Sequence, residues 1–412
     1  MTAANPKLRH VDIQPATQGG RTGIAVRDPL GISDHTLFIP QALTPLLALC
    51  DGSRDIPTLR TALMLRTGVQ LSDLAIQDFV QQLDNALFLE GDLFAAAHEL
   101  ALDEYRNMPS RPCTGMGGSY PVDANELSTT LEQYLSIVPL TDKGRARNVR
   151  GLVCPHIDFP RGGPTYAEVW QAARKAVQEI EIAIVFGTDH HSENDLLTLT
   201  RQSYATPWGT LDTDMEAVEA ITSAVGASGA FRGELRHRKE HSIESALVWL
   251  HYLLGERKCS IVPLLCGSFH RFIKGDDDIL TDGTISHSIE ILKGVIAGRR
   301  SLVIAAADLA HVGPAFGGLL PVDAVERARQ ASADQKLMET ICAGDAQGFY
   351  QQIKDEGDVR NICGLPPIYW SLRLLESAEG EVTGYQQCPA DHEGTSIVSI
   401  CGIVLKHSYI EA

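Results

Sequence analysis

Residues 184–192 read IVFGTDHHS, an apolar run closed by a glycine, two small or acidic polar residues and two adjacent histidines. The β-branched and aromatic run reads as a buried strand of a parallel sheet. Open α/β sheets bind their ligands at the carboxyl ends of such strands. His190 and His191 therefore fit a metal site, a proton-transfer site or a polar loop. Two further apolar runs end alike: VCPHID supplies His156 and AADLAH supplies His311, in a chain with 14 histidines. If the three strands are neighbours, their histidines converge on one crevice, and neutral imidazole is the commonest protein metal ligand. Asp158 and Asp308 stand close to His156 and His311 in sequence. They read either as acceptors that fix an imidazole ring or as loop caps.

A fourth group, Glu240, His241 and Glu244, heads EHSIESALVWLHYLL. Ile243, Ala246, Leu247 and Leu250 form the buried stripe of that helix. Carboxylates at its start suit the helix dipole, and they would equally serve as a polar wall of the crevice. RGGPTY, at the expected start of another helix, reads as an exposed-amide anion site or a tight strand-to-helix turn. HExxH, GxSxG and GxxxxGK[ST] do not occur, which removes the zincin, α/β-hydrolase and P-loop readings.

The elements that must position these residues follow from the patterning. Residues 1–34 are polar and read as an irregular segment. Residues 35–96 carry three short helical patterns, with Leu43, Leu46, Leu47 and Cys50 on the first and a second over 56–66. Ser72 can cap the third, whose Ile76, Phe79, Val80, Leu83 and Leu87 keep the helical period. FLEGDLF then suggests a small β wing, and 97–147 reads as a linker that wraps the next domain. From 148 to 412 apolar strands alternate with amphipathic helices, the signature of an α/β sheet covered on its faces. The interval 323–376 reads as helical throughout, and a helix is expected from Pro164.

With 35 basic and 52 acidic side chains the net charge is −17. That opposes nucleic acid or an anionic membrane as the main partner. No run reaches the roughly 18 apolar residues of a membrane span, and MTAANPKLRH lacks the apolar core of a signal peptide. Nine scattered cysteines without a CxxC pair fit reduced thiols, hence a cytoplasmic setting.

FIPQALTPLLALCDGSRDIPTLRTAL and LDNALFLEG resemble the PqqD-like winged helix. That resemblance implies a module that holds peptides or partner proteins. The third helix, LSDLAIQDFVQQLDNAL, has no Lys or Arg, which argues against DNA. Further on, PHID, GTDHHS, EHSIE, IVPLLCG, AADLAH and NICGLPPI resemble, in order and spacing, the Memo family, called AmmeMemoRadiSam system protein B in bacteria. The likeness covers about residues 148–406. It implies a mixed sheet flanked by helices, similar to class III extradiol dioxygenases. It further implies a divalent metal held by His156, His190 and Cys363, with iron the expected ion and zinc or copper the alternatives. His311, with Asp308 beside it, would handle substrate protons, while His191 and His241 would line the pocket.

The implied activity is iron-dependent redox or dioxygenase-like chemistry on a small molecule or modified peptide. A His₂Cys set also suits zinc and hydrolysis, and a non-catalytic peptide-binding module is a third reading. Radical SAM and AMMECR1-type proteins are the implied partners. Two segments depart from the usual family pattern. PHIDF stands for PHAGY and ICGLPPI for ICGRHPI, so the expected substrate pocket differs from that of most relatives.

Overall fold

The computed structural model describes residues 5–138, 148–192 and 195–407. The chain divides into two compact units, Met1–Met108 and Pro109–Ala412.

In the first unit, β1 (Asp12–Gln18), β2 (Arg21–Arg27) and β3 (Thr36–Pro40) form an antiparallel sheet in that order. Residues 12–27 are therefore a hairpin and not an irregular segment. Gly19 and Gly20, at φ +57° and +74°, supply the backbone that a two-residue hairpin turn requires. Next come α1 (Thr44–Leu49), α2 (Ile56–Thr67), α3 (Asp73–Asn85) and α4 (Asp92–Asn107). Asp55 caps α2 through the Thr58 amide, and Ser72 caps α3 through the Ala75 amide. Leu46, Leu59, Leu63, Ile76, Val80 and Leu83 pack with Val26 and Ile39 into one core. The expected wing does not form among the described residues: Leu89 makes an isolated bridge to Leu8, and α4 begins at Asp92.

The second unit runs through α5 (Ala124–Ile137), β4 (Val149–Cys154), α6 (Phe159–Val177), β5 (Ile182–Thr188), β6 (Leu197–Leu199), β7 (Tyr204–Thr206) and β8 (Gly209–Leu211). It continues with α7 (Met215–Val225), α8 (Ala227–Ala230), α9 (Ser242–Leu254), β9 (Ser260–Cys266), α10 (His270–Lys274), α11 (Gly283–Ile296), β10 (Ser301–Ala306) and β11 (His311–Val312). It ends with α12 (Ala324–Cys342), α13 (Ala346–Asp355), α14 (Leu365–Leu375), β12 (Ala378–Pro389) and β13 (Ile397–His407). The main sheet has the order β11-β13-β4-β10-β5-β9-β6, with β12 also on β13. Strands β4, β10, β5 and β9 are parallel, and the flanking pairs are antiparallel. The fold class is thus α/β with a mixed sheet, as the alternation requires.

Ile182, Ile184 and Phe186 face one core with α7, α11, α13 and α14. Ala183 and Val185 face the other, with α6 and α9. Burial on both faces explains why these strands read as unbroken apolar runs.

Three boundaries differ from the sequence expectation. Residues 97–107 belong to α4, while 109–138 belong to the second unit, where Tyr120, Leu127 and Leu131 join the core. Helix α6 starts at Phe159 with Asp158 as its cap, so Pro164 lies inside it and RGGPTY is helical rather than an anion cradle. The interval 323–376 is three helices, and the 356–364 break carries Cys363.

Candidate metal centre

Strands β4, β10 and β5 are adjacent, with Ala306 level with both Cys154 and Gly187. Their carboxyl ends therefore open into one crevice. His156 lies two residues past β4, and His190 two past β5. The corresponding position past β10 is Asp308; His311 lies three residues further, in β11 against β13. His311 is thus not at an equivalent strand end, which corrects the simple three-histidine picture. Cys363 arrives from the α13–α14 loop, drawn in where Gly364 donates its amide to the Asp308 carbonyl at 3.0 Å. A Cβ on Gly364 would stand 2.4 Å from that carbonyl oxygen, so only glycine permits the approach.

The ligand atoms of His156, His190 and Cys363 lie within 4.8 Å of one another. Each imidazole is tied at its far nitrogen. His156 Nδ1 donates to the Ala306 carbonyl at 3.0 Å, and His190 Nδ1 donates to Glu240 Oε2 at 3.0 Å. Both Nε2 lone pairs are thereby left for the centre. His156 Nε2 stands 3.4 Å from Cys363 Sγ. Two ligand atoms bound to zinc at about 2.1 and 2.3 Å, roughly 100–110° apart, sit about 3.4–3.6 Å from each other. The spacing and the donor types fit a divalent ion.

The charges fit as well. Burial works against ionisation of Cys363, yet His156 and His311 hold its thiol well below the usual range. Burial likewise works against a proton on His156, but Asp308 and Cys363 raise it to about 9. Burial opposes the charge on Glu240 too, and it is overcome by His190 and His241, which keep the carboxylate ionised. A divalent cation would take over the compensation that the imidazole protons provide.

Asp308 Oδ1 accepts the His156 backbone amide at 2.9 Å, and Oδ2 lies 3.6 Å from His156 Nε2. It fixes the β4 loop and does not orient His311, whose Nδ1 donates to the Leu309 carbonyl at 3.1 Å. His241 immediately precedes α9, stacks on His190 with ring centroids 5.2 Å apart, and puts Nδ1 3.2 Å from Glu240 Oε1. His191 donates its backbone amide to Asp189 Oδ1 and lies outside the His156–His190–Cys363 group. Asp158 accepts from the Arg161 amide and Nε at 3.1 and 2.6 Å, so it is a helix cap.

Glu240 and Glu244 prove to have separate roles. Glu240 orients His190, whereas Glu244 accepts from the Thr114 and Gly115 amides, Tyr120 and the buried Arg111. Sequence reasoning passed over three supports. Arg236 binds Asp189 and Asp195, each at 2.7 Å, and so fixes the β5 loop. Arg360 binds the fully buried Asp334 at 2.7 Å, and its carbonyl accepts the His311 amide. The Ala306 carbonyl is main chain and leaves no sequence signal.

The family model described as Memo-like protein matches residues 111–404. A MEMO1 family protein of Aquifex aeolicus is 28% identical over 405 residues, 97% of this chain and 99% of the relative. Relatives from Methanosarcina acetivorans (26% over 264 residues, 64% of this chain and 85% of the relative) and Thermus thermophilus (24% over 334 residues, 81% and 94%) carry the same family name.

Proposed function

Because this chain belongs to the Memo-like protein family, we propose that its second unit is an iron-dependent, dioxygenase-like oxidoreductase acting on a small molecule or modified peptide. The observation that carries this reading is the convergence of His156, His190 and Cys363, with both Nδ1 atoms tied off. His156, His190 and Cys363 would hold the iron, and bound iron would supply redox chemistry of the kind that non-haem oxygenases perform with two imidazoles and one anionic ligand. The chain's own residues then have distinct tasks. Glu240 and the Ala306 carbonyl aim the imidazoles. His311, with Nδ1 bonded to Leu309, keeps Nε2 for a substrate proton. His241, 45% exposed at its side chain, faces incoming substrate.

The PqqD-like reading of residues 35–96 makes that domain the holder of a peptide or partner protein, and the family suggests radical SAM and AMMECR1-type proteins as partners of the chain. The test is anaerobic purification with metal analysis, followed by oxygen exposure of iron-loaded protein. Iron at one equivalent with an oxygen-dependent change in its spectrum supports the proposal. Zinc at full occupancy, with no response of the iron-loaded form to oxygen, would replace it with a zinc hydrolase.

A further inference from the structure

The opposite edge of the same sheet carries a second recess. The amino ends of β4 and β10 and the end of α6 enclose a cleft of about 550 Å³. Its charged lining is Arg150, Lys175, Arg299, Arg300 and Glu179. Four cations around one carboxylate are unusual company on a chain of net charge −17.

Two of the cations are already held in place. Arg299 donates to Asp214 and Arg300 to Glu181, each at 2.7 Å. Lys175 makes no ion pair among the described residues. Arg150 Nε is shielded from solvent and has no hydrogen-bond partner, and its Nη2 reaches Ser301 Oγ at a long 3.4 Å. A shielded donor without an acceptor is costly, and an unseen ion or ligand is among its ordinary explanations. The backbone aims this side chain deliberately. Leu405 pairs with Gly151 and Lys406 with Val149, so Arg150 is the extra residue of a β-bulge. Bulges re-aim a side chain at a sheet edge.

We propose that this cleft binds the phosphate group of a small molecule, with Arg150 and Lys175 as its principal partners. A guanidinium fork matches phosphate oxygens in pairs, and the volume exceeds what a bare phosphate fills, within the range of small-molecule sites. A nucleic acid backbone would be repelled by the net charge of −17 on the chain as a whole. Strand β4, at about 3.3 Å per residue, keeps the cleft roughly 17 Å from the metal centre, so the proposal does not depend on metal binding.

The test is calorimetric titration of inorganic pyrophosphate and of AMP into the full chain at low ionic strength. Saturable one-site binding is expected. Arg150→Gln and Lys175→Gln should each weaken it about tenfold or more, and Lys274→Gln, an exposed lysine on α10, should not. Tighter binding of AMP than of pyrophosphate would show that the cleft also holds the organic part; the reverse order would assign it to inorganic phosphates. Lys175 is exposed, so its variant decides the matter if Arg150→Gln fails to fold. The proposal is overturned if neither probe saturates by millimolar concentration, or if all three variants weaken binding alike.

Discussion

Replacing Glu240 by glutamine changes one atom type and should disable the metal centre. The carboxylate accepts four N–H groups: His190 Nδ1 at 3.0 Å, the His190 amide at 3.2 Å, His241 Nδ1 at 3.2 Å and the Ser242 amide at 3.0 Å. Glutamine has one acceptor oxygen, so one side of this arrangement must face an NH₂ group. With the oxygen toward Ser242, the amide hydrogens point at His190 Nδ1. That nitrogen can then only accept, which moves the ring proton to Nε2, the atom meant for the metal. Loss of such an orienting partner lowers metal affinity about 10- to 100-fold, or about 1.4–2.7 kcal/mol.

Competition with a chromophoric chelator measures the affinity. Long-range ¹H–¹⁵N spectra of the imidazoles report which nitrogen carries the proton. A folded Glu240→Gln variant that binds iron or zinc within about twofold of the wild type would refute the orienting role, as would an unchanged His190 tautomer.

Four further outcomes are expected. Cys363→Ser should lose most bound metal while Cys154→Ser keeps it, and metal should protect Cys363 from alkylation; Cys154 is buried with its thiol pushed well up, so it is inert in either state. His311→Ala should retain metal and lose turnover, and a fall in metal content as large as that of His156→Ala would make it a ligand instead. Metal affinity should rise with pH and level off above about 9, because the fold holds a proton on His156 up to about 9, and the metal needs the neutral ring. The corresponding contribution of His156 to folding is complete below about 6.5 and lost as pH rises through about 9; calorimetry in two buffers counts the protons released. Glu244→Gln should destabilise the fold by about 3–5 kcal/mol by leaving Arg111 uncompensated, read by urea denaturation.

What was legible in the sequence is what local pattern determines. The runs before His156 and His190 are buried on both faces, so their apolar character and the histidines that end them are visible without any partner. Ser72 announced α3 because a cap acts within three residues. The first hairpin was missed although Gly19–Gly20 is a turn signal: most of β1 is exposed, so it lacks the alternation that marks a half-buried strand. Arg111 looked like linker because its partners, the His237 and Glu240 carbonyls and Glu244, lie more than 120 residues away. Glu240 stood out as a charge at a helix start, but its bond to His190 spans 50 residues and emerges only once α9 meets the end of β5. Gly187 marks that meeting, since a Cβ there would stand 2.5 Å from Ile243.

These distances explain why EHSIE is a compact motif with two functions. Glu240 and His241 contact His190, and Ser242 Oγ donates to the Thr188 carbonyl at 2.9 Å, fixing α9 to the strand that precedes His190. One turn later Glu244 receives the 111–120 segment. Arg111 joins the two halves: it pairs with the Glu244 carboxylate and donates to the Glu240 carbonyl at 2.6 Å. The segment before α5 is therefore part of the scaffold behind the site, consistent with a family match that begins at residue 111. A perturbation of Arg111 should therefore reach His190 through Glu240, whose carbonyl accepts from Arg111 and whose carboxylate accepts from His190 Nδ1.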